Sequence, residues 1–265
     1  MRRALLTGLL LTLTVGVGAV VAVPTAFGAT TCTSTLSGGT INGPVVVPSG
    51  ASCEIDNAKV NGNISVRSGA ELGTNNTVVN GSISADGAHL KLFTTTITGE
   101  ILDNHPTDLQ GTVTPSVQPA DQQEGFSDSG IFCQDKVIGS LAVVNGPRPT
   151  NPVVIGGGGP FGEGACFGME LNGNTVGALN VQNNAVDVFV QDNTIQNNAQ
   201  VTGNTGVTHF DHNTVGGSFS FKNNPGGGSV TFNSIGANLS VTGNGPTCVQ
   251  GNTVKGSSSV TASCG

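Results

Sequence analysis

An asparagine that returns about every twenty residues is the feature that most constrains the fold of this chain. One series in the C-terminal half has spacings of 19, 20, 20 and 19 residues: Asn174, Asn193, Asn213, Asn233 and Asn252. A second series returns every 20 residues: Asn184, Asn204, Asn224 and Asn244. Apolar residues keep the same period three positions before each asparagine, as at Val190 and Val201. A fixed period of this length predicts a solenoid, in which each repeat is one coil stacked on the next.

The N-terminal half follows a similar period with glycine. Gly43, Gly62, Gly81 and Gly99 stand in the phrases INGPV, VNGNI, VNGSI and ITGEI. Short β-branched strands separated by asparagine or glycine corners are typical of stacked coils. We therefore predict an all-β, single-stranded right-handed parallel β-helix (β-solenoid) of about 20 residues per coil, with the handedness of the usual parallel crossover. Stacked asparagines are expected to hydrogen-bond from coil to coil.

Composition agrees with this fold and limits the partners. The 265 residues include 41 glycines and neither tryptophan nor tyrosine, and only 9% are charged. A helical bundle needs more leucine, glutamate, lysine and arginine. The net charge of −7 would become −9 if Arg2 and Arg3 left with a cleaved leader. A phosphate-binding surface is therefore not expected, and nucleic acid is not the predicted partner.

Residues 1–29 have the pattern of a secretory signal peptide. A basic Met-Arg-Arg start precedes the largely apolar stretch 4–23, and small residues follow Pro24. The apolar run is also long enough for an uncleaved membrane anchor, which is the alternative. We expect a secreted protein that has no membrane association after leader removal, with a β-helix domain over residues 30–265.

Six cysteines follow the leader, and an even number in an exported chain predicts disulfides. They are Cys32, Cys53, Cys133, Cys166, Cys248 and Cys264. The repeat favours pairing between sequence neighbours, although six cysteines allow about fifteen connectivities. The chain has no CxxC motif and no histidine at ligand spacing from a cysteine. We therefore predict neither a metal site nor a cofactor.

Two regions interrupt the period and are predicted to leave the solenoid as loops. Residues 103–132 contain three prolines and the acidic run 121–124, and residues 146–164 are rich in proline and glycine. Segments of this kind serve either as connecting loops or as the walls of a cleft beside a rigid scaffold. Both interpretations stay open at the level of the sequence.

Strand alternation selects the side chains that point away from the interior. If the apolar column three positions before each asparagine is buried, the columns two and four positions before it are exposed. His209 and Asp211 then share one face of one strand, with Glu170 and Gln191 on neighbouring coils. Asp192 and His212 stack nearer the corner, and Lys222 points outward from the second strand. A weaker patch of the same kind contains His89, Lys91 and Arg67.

The cluster around His209 has the composition of an acid–base site. A histidine beside an aspartate can be held in one tautomer and can exchange protons near neutral pH. Charged residues are also expected on any solvated solenoid face, so the same cluster is compatible with a purely structural role.

Several phrases of the chain resemble small exported actinobacterial right-handed β-helix proteins. They are CTSTLSGGTINGPVVVPSGASC, VNGNISVRSGAEL, GNTVGALNVQNN and VTGNTGVTHFDHNTVGGSFSF. The similarity spans most of the chain after the leader, and this group includes small secreted hyaluronidases that act as hyaluronate lyases. The resemblance implies an extracellular polysaccharide as the partner and β-elimination at a uronic acid as the reaction.

That reaction needs a base for the C5 proton, an acid for the leaving oxygen and a partner for the carboxylate. Because the chain has no tyrosine, the base is expected to be a histidine or a lysine. We assign His209 as the base, oriented by Asp211, with Lys222 or Gln191 at the carboxylate and His212 as the acid. Asp192 and Glu170 are the other expected substrate contacts.

Two alternatives belong to different functional classes. Paired carboxylates such as Asp192 and Asp211 are the groups that a glycoside hydrolase uses. A non-catalytic extracellular or cell-surface scaffold would use its repeats as a long adhesive face. The net negative charge disfavours a polyanionic substrate unless the basic residues are gathered in one place.

Overall fold

A computed structural model describes residues 28–106, 130–147, 152–157, 173–261 and 264. These residues form strands and turns without a helix, and no helix in these ranges is long and apolar enough to cross a membrane. Residues 1–27, 148–151 and 158–172 are outside the described ranges, so the predicted leader, apart from residues 28 and 29, and parts of the predicted loop 146–164 lie there.

Twenty-nine short strands make up the described chain. Thirteen precede the first gap: β1 (Thr30–Thr31), β2 (Thr35–Ser37), β3 (Thr40–Asn42), β4 (Val45–Val47), β5 (Ser52–Asp56), β6 (Lys59–Asn61), β7 (Ile64–Val66), β8 (Glu71–Asn75), β9 (Val78–Val79), β10 (Ile83–Asp86), β11 (His89–Phe93), β12 (Thr96–Ile97) and β13 (Ile101–Asn104). Three lie between the gaps: β14 (Gly130–Cys133), β15 (Lys136–Val144) and β16 (Val153–Gly156). The remaining strands are β17 (Thr175–Gln182), β18 (Val188–Gln191), β19 (Thr194–Ile195), β20 (Ala199–Thr202), β21 (Thr208–Asp211), β22 (Thr214–Val215), β23 (Phe219–Lys222), β24 (Gly228–Thr231), β25 (Ser234–Ile235), β26 (Leu239–Thr242), β27 (Thr247–Gln250), β28 (Thr253–Val254) and β29 (Ser258–Val260).

The strands form a parallel β-solenoid, as the repeat predicts. One sheet has ten strands, one for each level of the solenoid, and the other strands of the coils belong to a sheet of nineteen strands, in which β15 and β17 are each one long strand where most coils have two short ones. In the ten-stranded sheet, β18, β21 and β24 lie side by side and parallel, so that Val190, Phe210 and Val230 form one vertical file. Equivalent residues of successive coils therefore lie directly above one another.

The inward files are apolar and fill the interior. Val190, Phe210 and Val230 are all fully buried, which confirms the predicted orientation of this column. The rings of Phe210 and Phe219 stack across the interior with 3.9 Å between their centroids. Val, Ile, Leu and Phe side chains from all coils form a single core that extends along the whole solenoid.

Buried asparagines at the corners form two hydrogen-bonded ladders. The Oδ1 atom of Asn213 accepts bonds from the backbone N–H and the side-chain amide of Asn193, each at 3.0 Å. The Nδ2 group of Asn213 donates to the backbone oxygen of Val190 at 2.9 Å. The second series repeats this pattern from Asn184 to Asn244. The predicted bonding of asparagines from coil to coil is confirmed.

The same corner file continues toward the N-terminus with other polar residues. Asp135 takes the asparagine position below Asn174, where its Oδ1 accepts the backbone N–H of Thr95 at 2.8 Å and its own N–H donates to Asn174. Below it, the hydroxyls of Thr95 and Thr77 bond to backbone oxygens. The ladder position is thus polar from Thr77 onward, with different side chains in the two halves, and Oδ2 of Asp135 is the buried atom of this file that has no hydrogen-bond partner within the described chain.

Disulfides join sequence neighbours at the two ends of the solenoid. Cys32 pairs with Cys53 with a Cα–Cα distance of 5.5 Å, and Cys248 pairs with Cys264 at 4.2 Å. Cys133 is also disulfide-bonded, and no free cysteine is found in the described chain. Its predicted partner, Cys166, lies outside the described residues.

Parts of the predicted loops belong to the solenoid. Within the predicted loop 146–164, β16 occupies a full level of the ten-stranded sheet and pairs with β14 and β18. Within 103–132, the ends of β13 and the start of β14 are also paired strands. Residues 107–129 lie outside the described ranges. The boundaries of both loops are therefore narrower than the sequence predicted.

Asp103 is a buried carboxyl group in an apolar file. It points inward from β13 between Ala85 and Val143, it is 0% exposed, and neither carboxyl oxygen has a hydrogen-bond partner. Burial raises the pKa of Asp103 well above its usual value. The folded state therefore keeps a proton on Asp103 at pH values where the unfolded chain has lost it.

We predict that Asp103→Val stabilises the protein at neutral pH by about 2 kcal/mol, because an unsatisfied buried polar group is removed. In the native protein, the raised folded-state pKa makes the free energy of unfolding fall as pH rises from about 4 toward that pKa. In Asp103→Val, the free energy of unfolding is expected to fall less over the same pH range. Urea unfolding between pH 4 and 8 measures this free energy. The control is Glu100→Gln, which changes an exposed carboxyl group on the same coil. Equal pH profiles for native protein and Asp103→Val would refute the prediction.

Candidate functional site

His209 and Asp211 lie on the outward face of β21, as the strand alternation predicted. The side chain of His209 is 30% exposed and that of Asp211 is 13% exposed. The residue between them, Phe210, points into the core. The two polar side chains are therefore anchored to a rigid part of the sheet.

Ser229 joins the two residues from the next coil. Its hydroxyl donates to both carboxylate oxygens of Asp211, at 2.9 and 2.8 Å, and lies 2.9 Å from Nδ1 of His209. The direct distance from Nδ1 to the Asp211 carboxylate is 4.0 Å. Aspartate thus acts on histidine through a serine hydroxyl and not by the direct contact that the sequence suggested.

This geometry fixes the tautomer of neutral His209. A serine hydroxyl has one proton, and here that proton is directed to Asp211. Nδ1 of His209 can therefore bond to Ser229 only as a donor. Nε2 then carries the free lone pair, which is the form of imidazole that accepts a proton.

We call the hydrogen-bonded series Asp211–Ser229–His209 the relay, and further contacts hold its two ends. The hydroxyl of Thr231 donates to Oδ1 of Asp211 at 2.6 Å, and its backbone N–H donates to the same oxygen at 3.1 Å. The ring of Phe189 is stacked on His209 at 5.0 Å with an angle of 3° between the planes. Asp211 is saturated with donors, so it serves as an anchor for the relay.

Asp192 and His212 occupy the corner beside β21. They are neighbours in one corner file, and the ring of His212 stacks on Phe232 with 5.1 Å between centroids. Burial raises the pKa of Asp192, as does the charge of Asp211, whereas His212 lowers it. His212 is exposed at this corner, one residue after Asp211.

Of the other predicted site residues, the structure separates Lys222 from His209 and keeps Gln191 beside Asp211. Lys222 ends β23 in the nineteen-stranded sheet, so it does not share a sheet face with His209. Gln191 lies one level below Asp211 in the same file and is 8% exposed. Glu170 is outside the described residues. Sequence reasoning placed Ser229 and Thr231 in the correct outward columns but gave them no role.

A second polar cluster lies on the N-terminal part of the ten-stranded sheet. Glu54, Gly73 and Lys91 form one outward file, and the Glu54 carboxyl group rests over Gly73, where a side chain would collide with it. Nζ of Lys91 forms a salt bridge with Glu71 at 3.0 Å, and Ser52 donates to Glu71 at 3.4 Å. The two glutamates thus have different surroundings.

Glu54 is the carboxyl group without a partner in this cluster. It makes no hydrogen bond within the described chain, and burial raises its pKa to about 7, with Asp56 and Glu71 adding to the rise and Lys91 opposing it. The predicted patch of His89, Lys91 and Arg67 is only partly formed. His89 is buried in the Glu71 file, whereas Arg67 follows β7 outside this cluster.

Comparison with known proteins finds no matching family model, no matching curated protein and no matching solved structure. The resemblance to small exported β-helix proteins therefore stays a prediction, although the β-solenoid that it implies is confirmed by the strand pairing. Among the described residues, no group of three or more histidine, cysteine or acidic side chains is arranged to hold a metal ion.

We predict that Ser229→Ala releases the tautomer of His209, because Nδ1 then loses its acceptor. Ring ¹⁵N chemical shifts at alkaline pH measure how the proton of neutral His209 is distributed between Nδ1 and Nε2. The native protein is expected to show Nδ1–H with an unprotonated Nε2, and the variant a mixture of both tautomers. Ser240→Ala, on the other sheet, is the control and leaves the shifts unchanged. A native His209 that carries its proton on Nε2 would contradict the proposed relay.

Proposed function

We propose that this protein is secreted and acts on an extracellular polysaccharide, and that His209 is the general base of a lyase that cleaves a uronic-acid-containing glycan such as hyaluronan. The supporting observation is the free lone pair of His209 Nε2 on the outward face, held by Ser229, Asp211 and Phe189. The disulfides agree with an extracellular location.

The proposed reaction needs no external reagent. Nε2 of His209 takes the C5 proton of a uronate, the C4–O bond breaks and a C4=C5 double bond forms. The leaving oxygen takes a proton from His212, which is the exposed imidazole nearest along the chain. Because Lys222 lies on the other sheet, Gln191 is the remaining assigned contact for the substrate carboxylate. The Ser229–Asp211 pair stabilises the imidazolium that forms on His209.

The lyase assignment predicts that the protein produces unsaturated uronide ends, which absorb in the ultraviolet, from hyaluronan or pectin. His209→Ala is expected to lower turnover at least about 100-fold, because removal of a positioned general base has effects of this size. His105→Ala, an exposed histidine at a corner of the other sheet, is the matched control. Full turnover by His209→Ala would disprove the role of this base.

A second candidate function is glycoside hydrolysis. For this reaction, Glu54 and Glu71 are a better candidate pair of carboxyl groups than the predicted pair Asp192 and Asp211. Asp211 already accepts bonds from Ser229 and Thr231, whereas Glu54 has no hydrogen-bond partner and a pKa of about 7. A carboxyl group that is protonated at neutral pH beside one in a salt bridge is the arrangement of a general acid and a base. Glu54 would protonate the leaving oxygen while Glu71 takes a proton from the attacking water.

Hydrolysis predicts new reducing ends without ultraviolet absorbance. Activity is expected to fall as pH rises above about 7, because Glu54 then loses the proton that it donates. Glu54→Gln is expected to lower this activity at least about 100-fold, and Glu100→Gln, an exposed glutamate, is the control. Reducing-end release that survives in Glu54→Gln would refute this candidate. The absence of both products from all substrates would favour the non-catalytic scaffold.

A further inference from the structure

Three outward side chains in the middle of the ten-stranded sheet are buried. Ile131, Val154 and Phe189 lie at successive levels of the file that also contains Lys91 and His209. They are 6%, 6% and 7% exposed. The side chains of Lys91 and His209, at the two ends of this run, are 33% and 30% exposed. The core shields only the inner face of the sheet, so the outer face is covered at these three levels.

Cys133 lies on the same covered face. It is fully buried, and with Ile131 it forms an apolar cluster separate from the interior core. It is disulfide-bonded, whereas the other four described cysteines pair with one another. Cys166 is the sixth cysteine of the sequence and is therefore the remaining partner of Cys133. We call Ile131, Cys133, Val154 and Phe189 the covered patch.

The segment that contains Cys166 leaves and rejoins the solenoid beside this patch. Gly157 precedes the segment and Gly173 follows it, and both lie against Asp192, because a Cβ atom on either glycine would collide with it. Cys133 ends β14, two levels below Asp192, which follows β18. Two levels measure about 10 Å, whereas the chain from 157 to 166 can span roughly 30 Å. The segment is therefore long enough to fold back over the outer face.

The composition of residues 158–172 suits an apolar surface. They include four large apolar side chains and two acidic ones: Phe161, Phe167, Met169 and Leu171, with Glu163 and Glu170. The other long segment outside the described ranges, residues 107–129, has four acidic residues and no cysteine. Burying charge against the covered patch would be costly. Composition and the cysteine therefore favour residues 158–172 as the cover.

We propose that residues 158–172 dock on the covered patch and are fastened there by a disulfide between Cys133 and Cys166. Phe189 belongs to this patch and stacks on His209 with parallel rings. Docking therefore holds the Phe189 ring and, through it, positions the His209 imidazole. The inference goes beyond the proposed function, because the docking does not depend on any reaction at His209.

Val154→Lys tests whether the patch is covered. A lysine is tolerated in an uncovered part of this file, as Lys91 is, but under an apolar segment its charge loses contact with water. Val154→Lys is expected to lower the thermal midpoint by at least about 5 °C. The control is Thr35→Lys, at an exposed level of the same file, which leaves the midpoint unchanged.

A second variant removes the proposed occupant. Residues 158–172 are replaced by a glycine–serine linker of equal length, together with Cys133→Ala. In this background Val154→Lys is expected to shift the midpoint by less than about 1 °C, because the new charge stays in water. If the linker variant does not fold, Cys133→Ala with Cys166→Ala, which removes only the tether, replaces it in all measurements.

Hydroxyl-radical labelling of Phe189 measures the uncovering directly. The linker variant is expected to raise this labelling about fourfold, as the exposed fraction rises from 7% toward the 30% of the His209 side chain. Fully buried Phe210 reports on the fold and stays unlabelled. The matched control, the same replacement of residues 107–129, leaves Phe189 protected. The ring ¹⁵N shifts of His209 are expected to change in the linker variant only, because Phe189 loses its support.

Peptide mapping without reduction is expected to find Cys133 joined to Cys166. Another partner for Cys133 would overturn the proposal, as would an equal effect of Val154→Lys with and without residues 158–172. Exposure of Phe189 by replacement of residues 107–129 would assign the patch to that segment and refute the proposed occupant. Unchanged ¹⁵N shifts of His209 in a linker variant that exposes Phe189 would refute the positioning of His209.

Discussion

The buried asparagine ladder is the interaction on which the rest of this structure depends. Each amide is removed from water and is satisfied only when the coils above and below are in register, as for Asn213 between Asn193 and Asn233. A shift by one residue would leave several buried donors and acceptors unpaired, at a cost of about 1–3 kcal/mol each. The ladder therefore fixes which side chains stand above one another, both inside the solenoid and on its surface.

Because successive coils are in register, side chains that are distant in the sequence meet at one candidate site. Ser229 reaches His209 and Asp211 because it lies 20 and 18 residues away, one coil further along. On a single strand the two residues would remain about 7 Å apart at their Cα atoms and would not share a proton. The hydroxyl from the next level closes that gap and converts two solvated side chains into an ordered relay.

The sequence could predict the period, the inward columns, the ladder and the outward columns, because each follows from residue spacing alone. It could not predict the role of Ser229, since a serine in an outward column is compatible with any rotamer. Lys222 was grouped with His209 although a corner of the chain separates their strands, and spacing does not show which sheet a strand joins. The strand Val153–Gly156 was hidden because proline and glycine flank a short apolar run.

The contrast between Asp211 and Glu54 shows how one neighbour in a file decides the chemistry of a carboxyl group. Both project from the same ten-stranded sheet. The level above Asp211 carries Thr231, with Ser229 beside it, and these hydroxyls bind the carboxylate. The level above Glu54 carries Gly73, which gives space but no donor, so that burial raises the pKa to about 7. Because glycine and hydroxyl residues both fit the narrow coil spacing, the residues of the adjacent coil decide whether a carboxyl group on this sheet is an anchored carboxylate or an acid with a raised pKa.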